Sequence, residues 1–546
     1  MNRRNVIKGL TILPFAGSFF PSVLAAPAEK GFELGGSEIP ATTSGLPAEP
    51  NIFRSIGVEP VINCRGTFTI IGGSIERPEV RAAMEAASKD FIQYDELADG
   101  IGKRLAELTG AEWGMVSAGC AAAMKHVTAA CVTGGNPEKL IRIPDLAGFE
   151  KTEVVIPGSS RNSYDHAIRN IGVKIIDVNT LEEFENALNS RTAMIYMMAY
   201  GESDSDEPIS LEKITGIAKT RNIPILVDAA AEILTIPNVH LKRGATVVAY
   251  SGGKALCGPQ CAGLLLGSKE ILMSAWQASS PHHGPGRDNK VGREEMIGML
   301  AAVEAWGKRD HEGEWKTWLS WLDNISKRVS MIDGIKTSVF EPTDLSNHSP
   351  VLNIIWDPAM LNITGEEVAE ELGKNKPRIA IGSKSENGTT SINITTGQMQ
   401  PGNDKIVADR IYNLLSQKRS PKPASMTPAA TINGRWDVTI EFFSSKSQHT
   451  LYIEQDGNWI QGVHKGDFSS RELAGTIEGN LVNLRSVDRH IADSITFIFS
   501  GTLSNDTISG QIHMGEYRTA TFTAQRSKKK GLRKPILVPS GPPLYT

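Results

Sequence analysis

Short apolar runs alternate with amphipathic stretches through the first half of the chain. The apolar runs have the length of buried strands, and the stretches between them have the three-to-four-residue apolar spacing of helices. The predicted strands are 153–156, 173–176, 192–198, 225–227 and 244–250, with helices at 164–170, 181–188 and 210–219. Strands that alternate with helices in this way predict βαβ units and a doubly wound, mostly parallel sheet.

Beyond residue 290 the pattern changes to long helices and then to a smaller mixed region. Residues 292–306 and 315–329 have the spacing of long amphipathic helices, which would lead out of the large domain. Strands are then predicted at 351–355 and 391–394, and helices at 365–372 and 404–415. The sequence therefore predicts a small α+β domain after the large α/β domain.

The carboxyl-terminal part of the chain shows a two-residue alternation of apolar and polar positions. About eight short segments carry it, and glycines or Asp-Gly pairs separate many of them. The predicted strands are 436–442, 448–454, 459–463, 471–477, 481–485, 494–499, 507–513 and 517–525. This spacing predicts an antiparallel barrel or sandwich. The opening Gly434-Arg435-Trp436 resembles the lipocalin-like barrels, so we expect a barrel.

Changes in composition indicate where the domains begin and end. Residues 29–50 and 418–431 are rich in small residues and proline, which is typical of linkers. The predicted organisation is a signal peptide at 1–28, a linker at 29–50, a large domain at 51–320, a small domain at 321–417, a linker at 418–431, a barrel at 432–526 and a basic, Pro-rich tail at 527–546.

The amino terminus has the features of an export signal. Arg3 and Arg4 precede a moderately apolar segment that ends in small residues. Pro14 and Pro21 interrupt that segment, which argues against a retained transmembrane helix. We expect a twin-arginine signal that is cleaved near residue 28, and a periplasmic or other extracytoplasmic protein. A retained membrane anchor or a chance basic start is the alternative.

Composition and charge restrict the possible functions. The chain has 546 residues, 40% hydrophobic and 22% charged, which is typical of a soluble protein with two or three domains. Its net charge of −4 is not the signature of a nucleic-acid-binding protein. The five cysteines lack the regular spacing of a disulfide framework. Cys257 and Cys261 are too few for a zinc site, so we expect no metal.

A lone lysine in a glycine-rich turn is the first candidate catalytic residue. Lys254 follows the predicted strand 244–250 and Ser251-Gly252-Gly253. Glycines let the backbone turn sharply and approach a ligand closely. A desolvated lysine at such a place can lose its proton and attack a carbonyl, as in pyridoxal phosphate (PLP) enzymes. The alternative is an exposed lysine in a glycine-rich turn.

Two further segments favour a PLP site. Asp228 ends the predicted strand 225–227, and at that edge of an open α/β sheet an aspartate can keep the pyridine nitrogen of PLP protonated. Residues 115–124 run from a strand into an Ala-rich helix, whose amino terminus can bind phosphate. A phosphate loop, then the aspartate, then the lysine, each at the end of a separate strand, is a specific combination.

These segments resemble the fold-type I PLP enzymes related to bacterial selenocysteine synthase (L-seryl-tRNA selenium transferase). The resemblance is strongest to tRNA-independent relatives such as D-glucosaminate-6-phosphate ammonia-lyase, and it covers roughly residues 50–417. The matching motifs are 61–67, 117–124, 227–232, 251–254 with 258–260, and 286–295. At 286–290 an Arg-Pro pair is expected and absent. That difference concerns the substrate contacts more than the cofactor site.

The resemblance implies Lys254 as the PLP lysine and Asp228 as the partner of the ring nitrogen. Around them we expect a set of cofactor and substrate residues. Those predicted to hold the cofactor phosphate are Ser117, Gly119, Cys120, Ala121 and Ser251, and those predicted to bind substrate anions are Arg65, Arg287, Lys290 and Arg378. For Arg378, a bidentate contact to a carboxylate and a plain surface position remain equally open.

The predicted function is that of an exported PLP-dependent lyase acting on a small amino acid or amino sugar acid. Transamination, racemisation, retro-aldol cleavage and selenium transfer to seryl-tRNA use the same cofactor and remain alternatives. A non-catalytic periplasmic binding protein, with an apolar ligand in its barrel, is a further alternative. The resemblance also implies at least a dimer, in which Asn63, Arg65 and Thr67 reach a neighbour's cofactor.

Overall fold

The computed structural model describes residues 51–199, 207–421, 425–487 and 495–528. The predicted signal peptide, the first linker and the tail beyond residue 528 lie outside these residues. The chain divides into two compact units between residues 421 and 425. Within the described ranges, no helix combines the length and apolar content that would let it cross a bilayer.

The helices of the first unit fall mostly where the amphipathic pattern predicts them. They are α1 (Ile52–Ser55), α2 (Pro78–Ala87), α3 (Tyr94–Thr109), α4 (Cys120–Thr133), α5 (Pro137–Leu140), α6 (His166–Arg169), α7 (Leu181–Ala187), α8 (Leu211–Thr220), α9 (Val239–Lys242), α10 (Lys269–Ala278), α11 (Arg293–Trp306), α12 (His311–Val329), α13 (Pro358–Leu361), α14 (Gly365–Lys374) and α15 (Asn403–Leu415). The predicted helix 164–170 is a 3₁₀ turn followed by the single turn of α6.

The strands of the first unit form three sheets, and those of the second unit form one. The first unit contains β1 (Val61–Asn63), β2 (Trp113–Ser117), β3 (Glu153–Pro157), β4 (Lys174–Val178), β5 (Thr192–Met198), β6 (Ile225–Asp228), β7 (Val247–Ser251), β8 (Gly263–Gly267), β9 (Lys336–Phe340), β10 (Val351–Trp356), β11 (Arg378–Ala380), β12 (Gly382–Glu386) and β13 (Thr389–Thr395). The second contains β14 (Gly434–Glu441), β15 (Lys446–Asp456), β16 (Trp459–Lys465), β17 (Ser470–Glu478), β18 (Leu481–Val487), β19 (Thr496–Ser504), β20 (Thr507–Met514) and β21 (Tyr517–Arg526).

A seven-stranded sheet forms the centre of the first unit. Its order is β2-β8-β7-β6-β5-β3-β4, and neighbours from β7 to β4 pair in parallel. Every residue of β2, β3, β6 and β8 is buried, as expected for strands covered on both faces. The predicted doubly wound, mostly parallel sheet is confirmed. The strand β8, which runs antiparallel to both of its neighbours, was not predicted.

A smaller antiparallel sheet, β12-β13-β10-β9, follows in the same unit. Alternate residues of β10 are buried, so one face of this sheet packs on the apolar core that α12, α14 and α15 complete. The short strand β1 pairs in parallel with β11, which connects the first described strand to this region. This core is separate from that of the seven-stranded sheet. The domain boundaries at 320 and 417 remain predictions.

The second unit is a closed antiparallel barrel of eight strands, in which β21 pairs with β14. The eight strands predicted from the two-residue alternation are confirmed. Trp436 is fully buried, and its Nε1 donates to the carbonyl of Ile432 at 2.8 Å. The Arg526 guanidinium lies 4.6 Å from the centre of the Trp436 ring and donates to the carbonyls of Thr431 and Asn433. Strand β21 is therefore joined to the turn that precedes β14.

A buried histidine pair lies among the apolar side chains of the barrel. His449 Nδ1 and His464 Nε2 are 2.7 Å apart, and His464 Nδ1 lies 2.8 Å from the Ser486 hydroxyl. Asp467 Oδ2 lies 3.5 Å from His449 Nε2. Burial lowers the pKa of His464 to about 3 and also lowers that of His449. Both rings are therefore neutral at neutral pH.

Candidate active site

Lys254 lies in a turn that the backbone holds in place on several sides. The turn follows β7, and the Gly252 N–H donates to the Ala262 carbonyl at 2.8 Å. The Lys254 carbonyl accepts from Cys257 at 3.0 Å, and the Gly253 carbonyl accepts from Ser74 at 3.0 Å. Lys254 itself is partly buried. Its backbone is therefore fixed, while its side chain starts from the edge of the sheet.

Two glycines let the neighbouring segments close around this turn. A Cβ on Gly253 would lie 2.7 Å from the Cα of Gln260, and a Cβ on Gly73 would lie 2.7 Å from the Gly253 carbonyl oxygen. Contacts this short force something to move, so both positions require glycine. Asn63 lies close to this segment, because its side-chain amide donates to the Gly66 carbonyl at 2.9 Å and lies 3.5 Å from the Gly73 carbonyl oxygen. The contact of Asn63, Arg65 and Thr67 with a neighbour's cofactor stays a prediction.

Asp228 occupies the end of β6, next to β7 in the sheet. In register it lies beside Ala249 of β7 and Met198 of β5, so its carboxylate is at the same edge as the lysine turn. It is only 2% exposed. Burial raises the pKa of the Asp228 carboxyl above its ordinary value, and the positive charge of Lys254 acts in the opposite direction. The structure thus brings the predicted lysine and aspartate into one site.

Three hydrogen-bond donors surround the Asp228 carboxylate. The Tyr196 hydroxyl donates to Oδ2 at 2.9 Å, the Ala230 N–H donates to Oδ1 at 3.0 Å, and the Cys120 thiol lies 3.6 Å from Oδ1. The Tyr196 oxygen in turn accepts from the Asn162 side-chain amide at 3.0 Å. Tyr196 and Asn162 were not predicted. A tyrosine in an otherwise apolar buried strand is the signal that could have found them, because a buried hydroxyl needs a partner.

The predicted phosphate site is a turn between β2 and α4. Gly119 has φ +89° and precedes the first residue of α4. As a glycine it has no side chain that could cap the helix. The backbone N–H groups at the start of α4, from Cys120 and Ala121 onward, point outward along the helix axis and suit an anion. The Ser117 hydroxyl donates to the Gly119 carbonyl at 3.0 Å. It therefore stabilises the turn, and the Cys120 thiol is directed to Asp228 instead of a phosphate.

Strand β8 connects this turn to the lysine strand. Gly263 is in register with Ser117 of β2 on one side and with Ser251 of β7 on the other. A Cβ on Gly263 would lie 2.6 Å from the Gly119 carbonyl oxygen and 2.8 Å from the Cys120 nitrogen. A glycine is required here because the backbones of β8 and the phosphate turn touch. Ser117 and Ser251, predicted from separate motifs, are thus two strands apart in one sheet.

The four predicted anion-binding residues are in different settings. Arg287 and Lys290 are exposed in the segment after α10, where Asp288 forms an ion pair with the nearly buried Lys125 at 2.8 Å. Arg65 follows the end of β1, and its guanidinium lies 4.6 Å from the centre of the Phe68 ring.

Arg378, by contrast, begins β11, and its Nε donates to the Gly373 carbonyl at 2.6 Å. Because β1 and β11 are parallel, Arg65 and Arg378 lie at opposite ends of this pair of strands. The Gly373 bond is a helix-end contact, since that carbonyl belongs to the last turn of α14. The binding of substrate anions by any of the four residues stays a prediction.

The site nevertheless fits PLP on its own features. An uncapped helix amino terminus faces a turn that admits no side chain at Gly263, which suits a phosphate. The desolvated carboxylate of Asp228 suits a protonated ring nitrogen, since a buried charge requires a partner. Lys254 lies close enough for its charge to act on Asp228. Phosphate, ring and aldehyde of PLP would each find a complementary group.

Comparison with known proteins agrees with this geometry. Residues 96–293 match the model of a family described as Cys/Met metabolism PLP-dependent enzymes. The chain is 29% identical over 298 residues to a D-glucosaminate-6-phosphate ammonia lyase of Salmonella typhimurium, across 53% of this chain and 78% of that protein. A solved structure of a D-glucosaminate-6-phosphate ammonia-lyase superposes with a TM-score of 0.60 at 25% identity, covering 68% of this chain and 99% of the other.

Two other relatives catalyse different reactions. A 5'-C-glycyluridine monooxygenase-decarboxylase of Streptomyces is 27% identical over 60% of this chain and 83% of its own length. An L-seryl-tRNA(Sec) selenium transferase of Proteus mirabilis is 24% identical over 46% of this chain and 57% of its own length. The resemblance predicted from the motifs is thereby confirmed.

Proposed function

Since the chain is a PLP-dependent enzyme of fold type I followed by an eight-stranded barrel, we propose that it is an exported lyase. Its substrate would be a small amino acid or an amino sugar acid, from which it releases ammonia. The observation that carries this proposal is the meeting of Lys254 and Asp228 at one sheet edge, beside an uncapped helix terminus. The similarity to the ammonia lyases favours elimination over the other PLP reactions.

Each residue of the site has a definite task in this proposal. Bound PLP supplies an electron sink for a carbanion at the substrate α-carbon. Asp228 holds a proton on the ring nitrogen, and the first N–H groups of α4 hold the phosphate. Lys254 would carry the cofactor, and its Nζ would accept the α-proton of the substrate. Because Asp228 is buried, water would be excluded from the proton on the ring nitrogen that it pairs with.

The net reaction would convert a 2-amino-3-hydroxy acid into a 2-keto acid and ammonia. The α-proton leaves to Lys254, the 3-hydroxyl leaves as water, and a later water molecule releases the amine as ammonia. One water is lost and one is consumed, so the atoms balance. Transamination would need a second substrate, a keto acid that accepts the amino group, and racemisation would release no ammonia.

Purified full-length protein tests the proposal in two steps. A visible absorption band that borohydride removes would report a lysine-bound cofactor, and Lys254→Ala is the matched control. D- and L-amino acids and amino sugar acids are then screened for release of ammonia and keto acid. A protein with no such band would support a binding protein instead of an enzyme. A band without ammonia release from any substrate would contradict the lyase assignment.

Selenium transfer is the second candidate, since selenium transferases are among the relatives. The net charge of −4 and the proposed export oppose it, because a tRNA substrate requires a basic surface and the cytoplasm. Retention of seryl-tRNA by the purified protein at moderate salt would reverse this preference.

Export and self-association complete the proposal. Arg3 and Arg4 would direct export of the folded, cofactor-loaded protein, and their replacement by lysine should retain it in the cytoplasm. If cell fractionation finds that variant in the periplasm as before, the twin-arginine assignment is wrong. We also propose at least a dimer, and sedimentation of a stable, active monomer would contradict this.

A further inference from the structure

The Asp228 carboxylate is kept ionised by neutral hydrogen-bond donors in addition to the positive charge of Lys254. It is 2% exposed, and burial alone favours its protonated form. Hydrogen bonds to an ionised carboxylate favour the charged form, and both of its oxygens receive one. Of its donors, only the Ala230 N–H belongs to the backbone and is available whatever the side chain. The donors from Tyr196 and Cys120 belong to this particular sequence.

The direction of the Tyr196 hydrogen bond is determined by Asn162. A phenol has a single proton, and its oxygen can also accept. The Asn162 amide donates to that oxygen at 3.0 Å, so the phenolic proton is directed to Asp228 at 2.9 Å. Burial raises the pKa of Tyr196 well above its ordinary value, so the hydroxyl remains a donor at every working pH. Tyr196 is therefore a fixed donor and cannot serve as a base.

Cys120 provides the second side-chain donor from the first residue of α4. Its Sγ lies 3.6 Å from Asp228 Oδ1, and burial raises the pKa of the thiol well above its ordinary value. The thiol therefore keeps its proton beside the carboxylate. Cys120 also begins the helix proposed to hold the phosphate, so it lies next to both the phosphate site and Asp228.

We propose that Tyr196, oriented by Asn162, and Cys120 are positioning residues that keep Asp228 ionised and so keep the cofactor's ring nitrogen protonated. This inference rests on the proposed function, because it requires PLP to bind at Asp228. Loss of a donor to the ionised form should raise the pKa of Asp228. A protonated Asp228 cannot pair with a protonated ring nitrogen, so cofactor binding should weaken first at the acid side of the pH range.

The test uses full-length Tyr196→Phe, Asn162→Ala, Cys120→Ala and Cys120→Ser proteins. The measurements are the PLP dissociation constant and the pH dependence of the cofactor's visible band. We expect Tyr196→Phe to raise the dissociation constant about 10-fold or more, as for loss of a hydrogen bond to a charged group. Asn162→Ala should act in the same direction with a smaller effect. Cys120→Ala should weaken binding, and Cys120→Ser should restore it because serine keeps the donor.

The outcomes separate this inference from the proposed function. If wild-type protein shows no cofactor band, the proposed function fails. If wild-type protein binds PLP and Tyr196→Phe binds it with an unchanged constant and pH profile, the inference is overturned while the proposed function stands. If circular dichroism shows that Tyr196→Phe does not fold, the Cys120→Ala and Cys120→Ser proteins provide the test. Equal PLP dissociation constants for these two variants would overturn the inference.

Discussion

Gly263→Ala should damage the cofactor site, although Gly263 itself is not proposed to contact the cofactor. Gly263 lies where β8 passes the phosphate turn, and an added Cβ would be 2.5 Å from the Gly119 carbonyl carbon and 2.8 Å from the Cys120 nitrogen. Ordinary Cβ contacts begin near 3.4 Å, so the backbone at Gly119 and Cys120 must move by somewhat less than 1 Å. No flexible side chain is present to absorb the change. The turn and the start of α4 must therefore move.

The expected size follows from this displacement. Overpacking of a buried position costs about 1–3 kcal/mol of stability. A misplacement of up to about 1 Å at a reactive site costs up to about 100-fold in activity. We therefore expect weaker PLP binding and a loss of turnover of about 10- to 100-fold in a protein that still folds. Thermal unfolding, PLP titration by absorbance and ammonia release measure the three quantities.

Gly216→Ala is the matched control, since its Cβ would meet nothing within 4 Å and it lies inside α8. It should leave PLP binding unchanged and stabilise the helix by about 0.5–1 kcal/mol. If Gly263→Ala and Gly216→Ala have the same PLP dissociation constant and the same turnover, the turn before α4 is not the phosphate site.

Three other changes test the site and the barrel. Lys254→Ala should abolish turnover and the visible band in a folded protein, whereas Asp228→Asn should keep the band and slow α-proton exchange. A Lys254→Ala protein with a normal spectrum and normal activity would show that the cofactor is bound elsewhere. The pKa of His464 is about 3 in the barrel and about 6.5 in the unfolded chain. Its contribution to the free energy of unfolding of the barrel is therefore constant above about pH 6.5 and falls below it, by about 2 kcal/mol at pH 5. Hydrogen exchange of the barrel strands at pH 7 and pH 5, in wild type and His464→Gln, measures this, and equal opening free energies in the wild type would refute it. A chain ending near residue 417 should remain soluble and keep PLP, and loss of the cofactor would show that the barrel contributes to the site.

The parts of the site that were predicted are those that lie at the ends of parallel strands. Asp228 and Lys254 could be placed together from sequence because β6 and β7 are continuous apolar runs, and parallel neighbours end at the same edge. The barrel strands were predicted because a half-buried strand alternates with period two, and tight turns need glycine or asparagine.

The parts that were missed depend on contacts between distant segments. Gly263 to Gly267 is a short apolar run that periodicity cannot distinguish from a loop or a helix fragment, and only its pairing with β2 and β7 makes it a strand. Tyr196 has no local pattern, since its partners Asn162 and Asp228 are 34 and 32 residues away. The role of Arg378 was left open for a different reason, because its contact with the Gly373 carbonyl is only five residues away but follows the end of a helix.

The guanidinium of Arg526 links the last strand of the barrel to the two residues that precede the first strand. Because β14 and β21 are adjacent in the ladder, the polypeptide enters and leaves the barrel at neighbouring points. A unit whose entry and exit coincide can be spliced into a loop of another protein, or removed from one, without separating any of its own strand pairs. The closeness of its ends also suits circular permutation, in which new ends would be placed at a turn such as that at Gly457.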